Sequence, residues 1–155
     1  MSLKSSIINF WTQFDAICNF LKPVGDLFIR FWLAKSFFQS GLMKLMNWNT
    51  TVMLFQFEYH VPLLSPKIAA PLAAIIELSM SIFLLLGLGE RFPAFILFIF
   101  NLVASLSYPF LWTPAGYMVL KDHICWGLLL MIMFLHGPGK LSLDRVILWW
   151  YKNKS

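Results

Sequence analysis

The apolar run at residues 68–87, IAAPLAAIIELSMSIFLLLG, constrains this chain more than any other stretch. A helix rises about 1.5 Å per residue, so roughly 20 apolar residues span the hydrocarbon core of a bilayer. Glu77 falls near the middle of that run. An ionisable group at that depth is expensive unless it is paired, protonated or hydrated. The fold must therefore answer Glu77, and whatever answers it is the first candidate for a functional site.

Of the 155 residues, 59% are hydrophobic and 12% charged, against about 25% charged in a soluble domain. This balance is that of an integral membrane protein, and the length suits a single domain over residues 1–155. The net charge of +5 is scattered. No basic stripe forms, so no nucleic-acid partner is expected. The charge fits anchoring beside anionic membrane lipid. Cys18 and Cys125 lie far apart with no CxxC, which excludes a thioredoxin-like dithiol. Cys125 lies in an apolar run and reads as a small core residue. Lys4 is the single early base and no cleavage site follows a compact apolar core, so no cleavable signal peptide is expected.

Residues 6–21 mix Ile7, Ile8, Phe10, Trp11, Phe14 and Ile17 with Asn9, Gln13, Asp15 and Asn19. That pattern predicts an interfacial helix within residues 1–24, broken at Pro23. A first crossing is expected over residues 25–45, with Arg30, Ala34, Phe37, Gly41 and Lys44 on one face. Small residues and bases on one stripe mark a face packed on other helices. Lys35 points away from that stripe, among Phe28, Phe31 and Phe38. Residues 47–64 are too short and mixed to span, and place Trp48 and Tyr59 at headgroup depth.

The second crossing, residues 68–87, aligns Ala70, Ala73, Ala74, Glu77 and Ser81, which turns Glu77 into the protein. The short turn GLGERFP implies an antiparallel neighbour. A third crossing is expected over residues 93–111, with Asn101, Ser105 and Tyr108 on one stripe, and a fourth over 118–135, with Asp122 and His123 in its first turns. His136 would cap the end of the fourth. The aromatic and basic tail, within residues 137–155, reads as a cytoplasmic anchor. The expected fold is an all-α integral membrane protein: an antiparallel four-helix transmembrane bundle over residues 25–136, with an N-terminal interfacial helix.

Lys and Arg set the orientation. With both termini cytoplasmic, seven bases lie inside (Lys4, Lys22, Arg91, Lys140, Arg145, Lys152, Lys154) against Lys67 and the edge residues Lys44 and Lys121 outside. Glu58, His60, Asp122 and His123 then also lie toward the outer side. Glu77 would sit roughly 15 Å below the outer face and Lys35 roughly 15 Å above the inner one. Matching depths make Lys35 a candidate partner for Glu77, and Arg30, nearer the inner face, reaches far enough to be another. Asp26, one turn earlier, offers Arg30 a partner of its own. Two readings of the buried acid stand: an ion pair that fixes helix packing, or a carboxylate that handles protons or a ligand.

A histidine titrates near neutral pH, relays protons and binds metals. His123 has Asp122 beside it, and His60 and Glu58 lie on the same side, but no spacing enforces a metal site and no metal ligands are assigned. The chain holds 16 Phe, 7 Trp and 4 Tyr. These form lipid-facing bulk and interface belts, or line a flat pocket for a quinone ring. No CxxCH, no paired mid-helix histidines and no glycine-rich phosphate loop occur, which argues against haem and nucleotide cofactors.

Arg30, the string Gly41-Leu-Met-Lys44, Glu77, LLLGLGER, His123 and GPGKLSLD at residues 137–144 together resemble the DoxX family over roughly residues 25–145. The stretch FQFEY at residues 55–59, with VPLL at 61–64 and Ala69-Ala70, resembles a DoxX-like subgroup whose members accompany soluble proteins in operons tied to heavy-metal response and modified metal-binding peptides. The resemblance implies a four-helix bundle in the bacterial inner membrane and quinone-linked redox work, without assigning a catalytic activity. It carries over Arg30, Gly41, Lys44, Glu77 and His123; Lys35 is not part of the pattern.

Three functions follow as expectations. The first is a redox accessory that binds a quinone, with Glu77, Arg30, Lys44 and His123 as the catalytic candidates and Asn101, Ser105, Tyr108 and Trp126 as the cofactor-binding ones. The second is a transporter or export partner for a metal-linked peptide or small molecule, which would call for a homodimer. The third is a structural anchor for soluble operon partners. The site is expected as a cavity open to the outer side and ending at Glu77.

Overall fold

A computed structural model describes residues 3–89, 91–137 and 139–154, with side chains from residue 7 onward. Glu90 of LLLGLGER, Pro138 of GPGKLSLD and the Lys4 side chain lie outside the described residues. The helices are α1 (Leu3–Met46), α2 (Trp48–Phe57), α3 (Pro66–Leu86), α4 (Phe92–Ser107), α5 (Tyr117–His136) and α6 (Leu143–Lys152), with a 3-10 turn at Pro109–Trp112 between α4 and α5. Of these, α3 and α5 are long and apolar enough to cross a membrane, and α4 is a shorter apolar helix.

The expected break at Pro23 does not occur. Helix α1 runs through it as one 44-residue helix. Proline removes one N–H and crowds the carbonyl four residues back, which belongs to Asn19. Residues 7–22 are all exposed, so that carbonyl is not trapped in a protein core. Residues 3–24 are therefore the first half of α1 rather than a separate helix. On that half the rings of Phe10, Trp11 and Phe14 pack on one another at 6.0–6.4 Å.

Helix α4 stops at Ser107, short of the expected residue 111. Tyr108 precedes Pro109, and the proline ring pushes the preceding residue out of helical geometry. Tyr108 accordingly takes φ −113° and ψ 94°.

Helix α1 packs on α3, α3 on α4, α4 on α5, and α5 back on α1, while α2 lies against α3 and α1. The α1 stripe Arg30, Ala34, Phe37 and Gly41 is buried, as is the α3 stripe Ala70, Ala73, Ala74, Glu77 and Ser81. Small side chains let the two backbones approach closely. Leu33, Phe37, Leu84, Ala94, Leu97, Leu130 and Met133 form the main core. A second cluster, Phe55 with Ala69, Ala70 and Ala73, seats α2 on α3.

The Arg30 end of the molecule is tied together by backbone groups. Gly87 ends α3 with φ 66° and ψ 42°, a left-handed cap that glycine adopts without a Cβ penalty. Its carbonyl accepts from the Asp144 N–H at 3.3 Å. The Gly89 N–H donates to Asp144 Oδ1 at 3.2 Å. Arg30, fully buried, donates from Nη2 to the Leu141 carbonyl. The LSLD segment thus closes over the turn between α3 and α4 and over the Arg30 level of α1. Helix α6 follows, capped by Ser142 Oγ accepting from the Arg145 N–H. His136 Nδ1 bonds the Ile132 carbonyl at 3.0 Å in the last turn of α5. Cys125 is exposed, as is Cys18: position 125 lies on the outward face of α5, away from Leu130 and Met133, so it is not the core residue expected.

Candidate functional site

Glu77 is answered by Lys44. The Lys44 ammonium lies 2.7 Å from Glu77 Oε2 and 2.8 Å from Oε1. Ser40 Oγ donates to Glu77 Oε1 at 3.0 Å and accepts from Lys44 Nζ at 2.8 Å. The Glu77 side chain is 5% exposed and that of Lys44 18%. A carboxylate held by two donors, one of them charged, resolves the cost of burial that the sequence raised.

Neither base expected at Glu77 pairs with it. Lys35 is exposed, because it lies on the opposite face of α1. Arg30, about four turns before Lys44 on α1, is committed to the Leu141 carbonyl. Its Nε and Nη1 are buried without a hydrogen-bond partner among the described residues, and it does not line the cavity described below. Matching depths misled because side chains on a helix lean toward its N-terminus. Lys44 therefore leans back along α1 toward Ser40 and meets Glu77 from one turn beyond it.

Glu77 and Lys44 line a cavity of about 560 Å³ among α1, α3, α4 and α5. Its walls are mostly apolar and aromatic, including Phe37, Phe55, Tyr59, Phe100, Tyr108 and Trp126. Across from the ion pair, Asn101 and His123 form a second polar station. Asn101 Nδ2 donates to the His123 carbonyl at 2.8 Å, and Asn101 Oδ1 lies 2.8 Å from His123 Nδ1. Asn101 is buried on α4. Trp126 packs edge-on against the His123 ring at 5.2 Å and tilts against Phe37 at 5.8 Å.

Four rings form a ladder near the cavity: Phe55 to Tyr59 at 4.8 Å, Tyr59 to Tyr108 at 4.7 Å, and Tyr108 to Phe110 at 5.6 Å. The His60 N–H donates to the Ser107 carbonyl at 2.7 Å. The segment after α2 is thereby strapped to the end of α4. Burial pushes the Tyr59 hydroxyl up to about 12, with Tyr108, Glu77 and Glu58 adding to the rise. On the flank between α3 and α4 the lining is apolar and includes the exposed residues Leu72, Phe95 and Ile99.

The structure thus brings Glu77, Lys44, His123, Asn101, Tyr108 and Trp126 to one cavity. Ser105 is not among its walls: the hydroxyl bonds back to the Leu102 carbonyl of its own helix. Asp122, Glu58 and His60 are exposed, and no cluster of three metal-ligating side chains forms among the described residues. Sequence reasoning missed Ser40, Ser36, Phe55 and Ser107 as lining residues. Ser36 and Ser40 had a signal, two and one turns before Lys44 on the same face of α1; Phe55 and Ser107 depend on how α2 and α4 pack.

The DoxX family profile matches residues 25–109, which hold Arg30, Lys44, Glu77 and Asn101 but stop short of His123. A protein of Haemophilus influenzae described as uncharacterized is 34% identical over 138 residues, covering 85% of this chain and 89% of the relative. No solved structure matches. A family match over more than half of the chain, around a carboxylate buried in a membrane-length helix, makes this chain a member of the DoxX family of membrane proteins.

Proposed function

We propose that the chain is an antiparallel four-helix transmembrane bundle of the bacterial inner membrane that binds a quinone-type ring and serves as a redox accessory. One observation carries the reading: a cavity of about 560 Å³ is walled by aromatic rings and holds a charged pair, Lys44 and Glu77, within its apolar lining. Ligand sites of this kind are mostly apolar with a few placed polar groups that orient the ligand. A quinone needs a flat apolar slot and polar groups at its oxygens. Lys44 supplies a donor that steadies negative charge on a ring oxygen, and Glu77 supplies a carboxylate beside it for proton exchange. The exposed apolar flank at Leu72 and Ile99 suits entry of a lipid-dissolved molecule from the side.

In this reading Lys44 lies toward the outer face, and both termini lie in the cytoplasm with Arg91, Lys140 and Arg145. The first half of α1, continuous with the crossing half, then projects from the cytoplasmic face, and helix α6 lies along the interface there, where Trp149, Trp150 and Lys152 suit the headgroup region. The transport reading has less support, since the buried core residues Leu33, Leu97 and Leu130, each 0% exposed, pack together in the Arg30 half.

The test is the quinone content of protein purified in mild detergent, followed by binding to the Glu77→Gln and Lys44→Met variants. Stoichiometric quinone, reduced in both variants, supports the reading. Protein that neither carries quinone nor binds it when offered removes its basis.

A further inference from the structure

The Asn101–His123 contact specifies more than a packing pair. A backbone carbonyl only accepts hydrogen bonds, so the Asn101 atom 2.8 Å from the His123 carbonyl must be the amide nitrogen. The amide oxygen then faces His123 Nδ1 at 2.8 Å. An oxygen acceptor at that distance requires the proton on Nδ1. In a neutral imidazole one nitrogen donates and the other accepts. Nε2 is therefore the bare nitrogen, and no hydrogen bond from the protein engages it among the described residues. The ring lines the cavity, and Trp126 holds its edge.

We infer that Asn101 is a positioning residue that locks His123 in the Nδ1–H form, so that Nε2 accepts a hydrogen bond from a ligand hydroxyl and the cavity selects the hydroquinone over the quinone. The inference rests on the ring-binding reading above. A hydroquinone presents an O–H to Nε2. A quinone presents a carbonyl oxygen there, and two lone pairs face each other. At the other station Lys44 Nζ donates to Ser40 and to both Glu77 oxygens, so a ring oxygen of either form takes one of these three donors in exchange. The His123 side carries the part of the selectivity that Asn101 controls. Leaving a buried polar atom unpaired is a penalty that corresponds to about tenfold in affinity.

Two measurements on the full chain in lipid nanodiscs test this. The first is the 15N spectrum of His123, which separates the Nδ1–H from the Nε2–H form. The second is equilibrium binding, under anaerobic conditions, of a decyl-substituted benzohydroquinone and the matching benzoquinone. The expected result is the Nδ1–H form together with about tenfold tighter binding of the hydroquinone. Asn101→Leu should mix the two ring forms and remove the preference. If Asn101→Leu does not fold, the spectrum and the affinity ratio of the unaltered protein decide alone. An Nε2–H ring, or equal binding of the two probes, overturns the inference and leaves ring binding intact. Failure of both probes to bind overturns the ring-binding reading, and the selectivity with it.

Discussion

Gly41 sits so close to α3 that a Cβ built on it would lie 3.0 Å from Glu77 Cβ and 2.9 Å from Leu78 Cγ. Neither atom is the far end of a flexible side chain, so neither yields cheaply. The same close approach lets Ser40, the residue before it, and Lys44, about one turn on, converge on the Glu77 carboxylate. The glycine sets the helix spacing on which the ion pair depends.

Gly41→Val should therefore push α1 from α3 and lengthen the Lys44–Glu77 contact. Overpacking of this kind costs about 1–3 kcal/mol. Thermal unfolding in detergent should show the loss, and quinone binding should weaken in parallel. Unchanged stability would mean that the two helices are not as close as described.

Lys44→Met leaves Glu77 buried beside Ser40 alone. Removing one partner of a buried pair costs about 3–5 kcal/mol. Replacing both, as Lys44→Met with Glu77→Leu, should recover most of that stability while abolishing ligand binding. Chemical unfolding curves of the single and double variants form the cycle that measures it.

Arg30→Met should release the LSLD segment without touching the cavity, because Arg30 bonds the Leu141 carbonyl and does not line the cavity. A hydrogen bond from a charged donor contributes about 1.5–3 kcal/mol. Hydrogen exchange should speed up at Asp144, whose N–H is held by Gly87, while exchange around Glu77 stays slow. Loss of ligand binding with no change at residues 139–146 would contradict this division of roles.

Tyr59 carries a pH signature. Its hydroxyl rises from 10.0 to about 12 in the folded protein, chiefly through burial. The folded state thus holds a proton that the unfolded chain has begun to lose. Stability from this residue is complete below about pH 10 and falls away as pH rises from about 10 to about 12. Unfolding midpoints across that window should drop for the unaltered protein and drop less for Tyr59→Phe. Equal slopes would show that Tyr59 ionises freely in the fold.

Much of this protein was legible in one dimension because the bilayer is a strict solvent. Runs of about 20 apolar residues admit few structures in lipid. Helices α3 and α5 follow directly from such runs, and the buried faces of α1 and α3 follow from helical spacing of Arg30, Ala34, Phe37 and Gly41 and of Ala70, Ala73, Ala74, Glu77 and Ser81. That Glu77 required an answer was also legible, since the cost of a carboxylate at that depth is a local property of the sequence. The identity of its partner was not. Lys35, Arg30 and Lys44 all lie on α1, and only the register of α1 on α3, set where Gly41 meets Glu77, selects Lys44. The pairing of Asn101 with His123 likewise crosses from α4 to α5. The roof over the cavity depends on where α2 lies and where Tyr108 ends α4. Sequence periodicity determines which residues turn inward on one helix; which of them meet is decided by the rotation, tilt and register between helices, and those arise only when the close-packed faces are brought together.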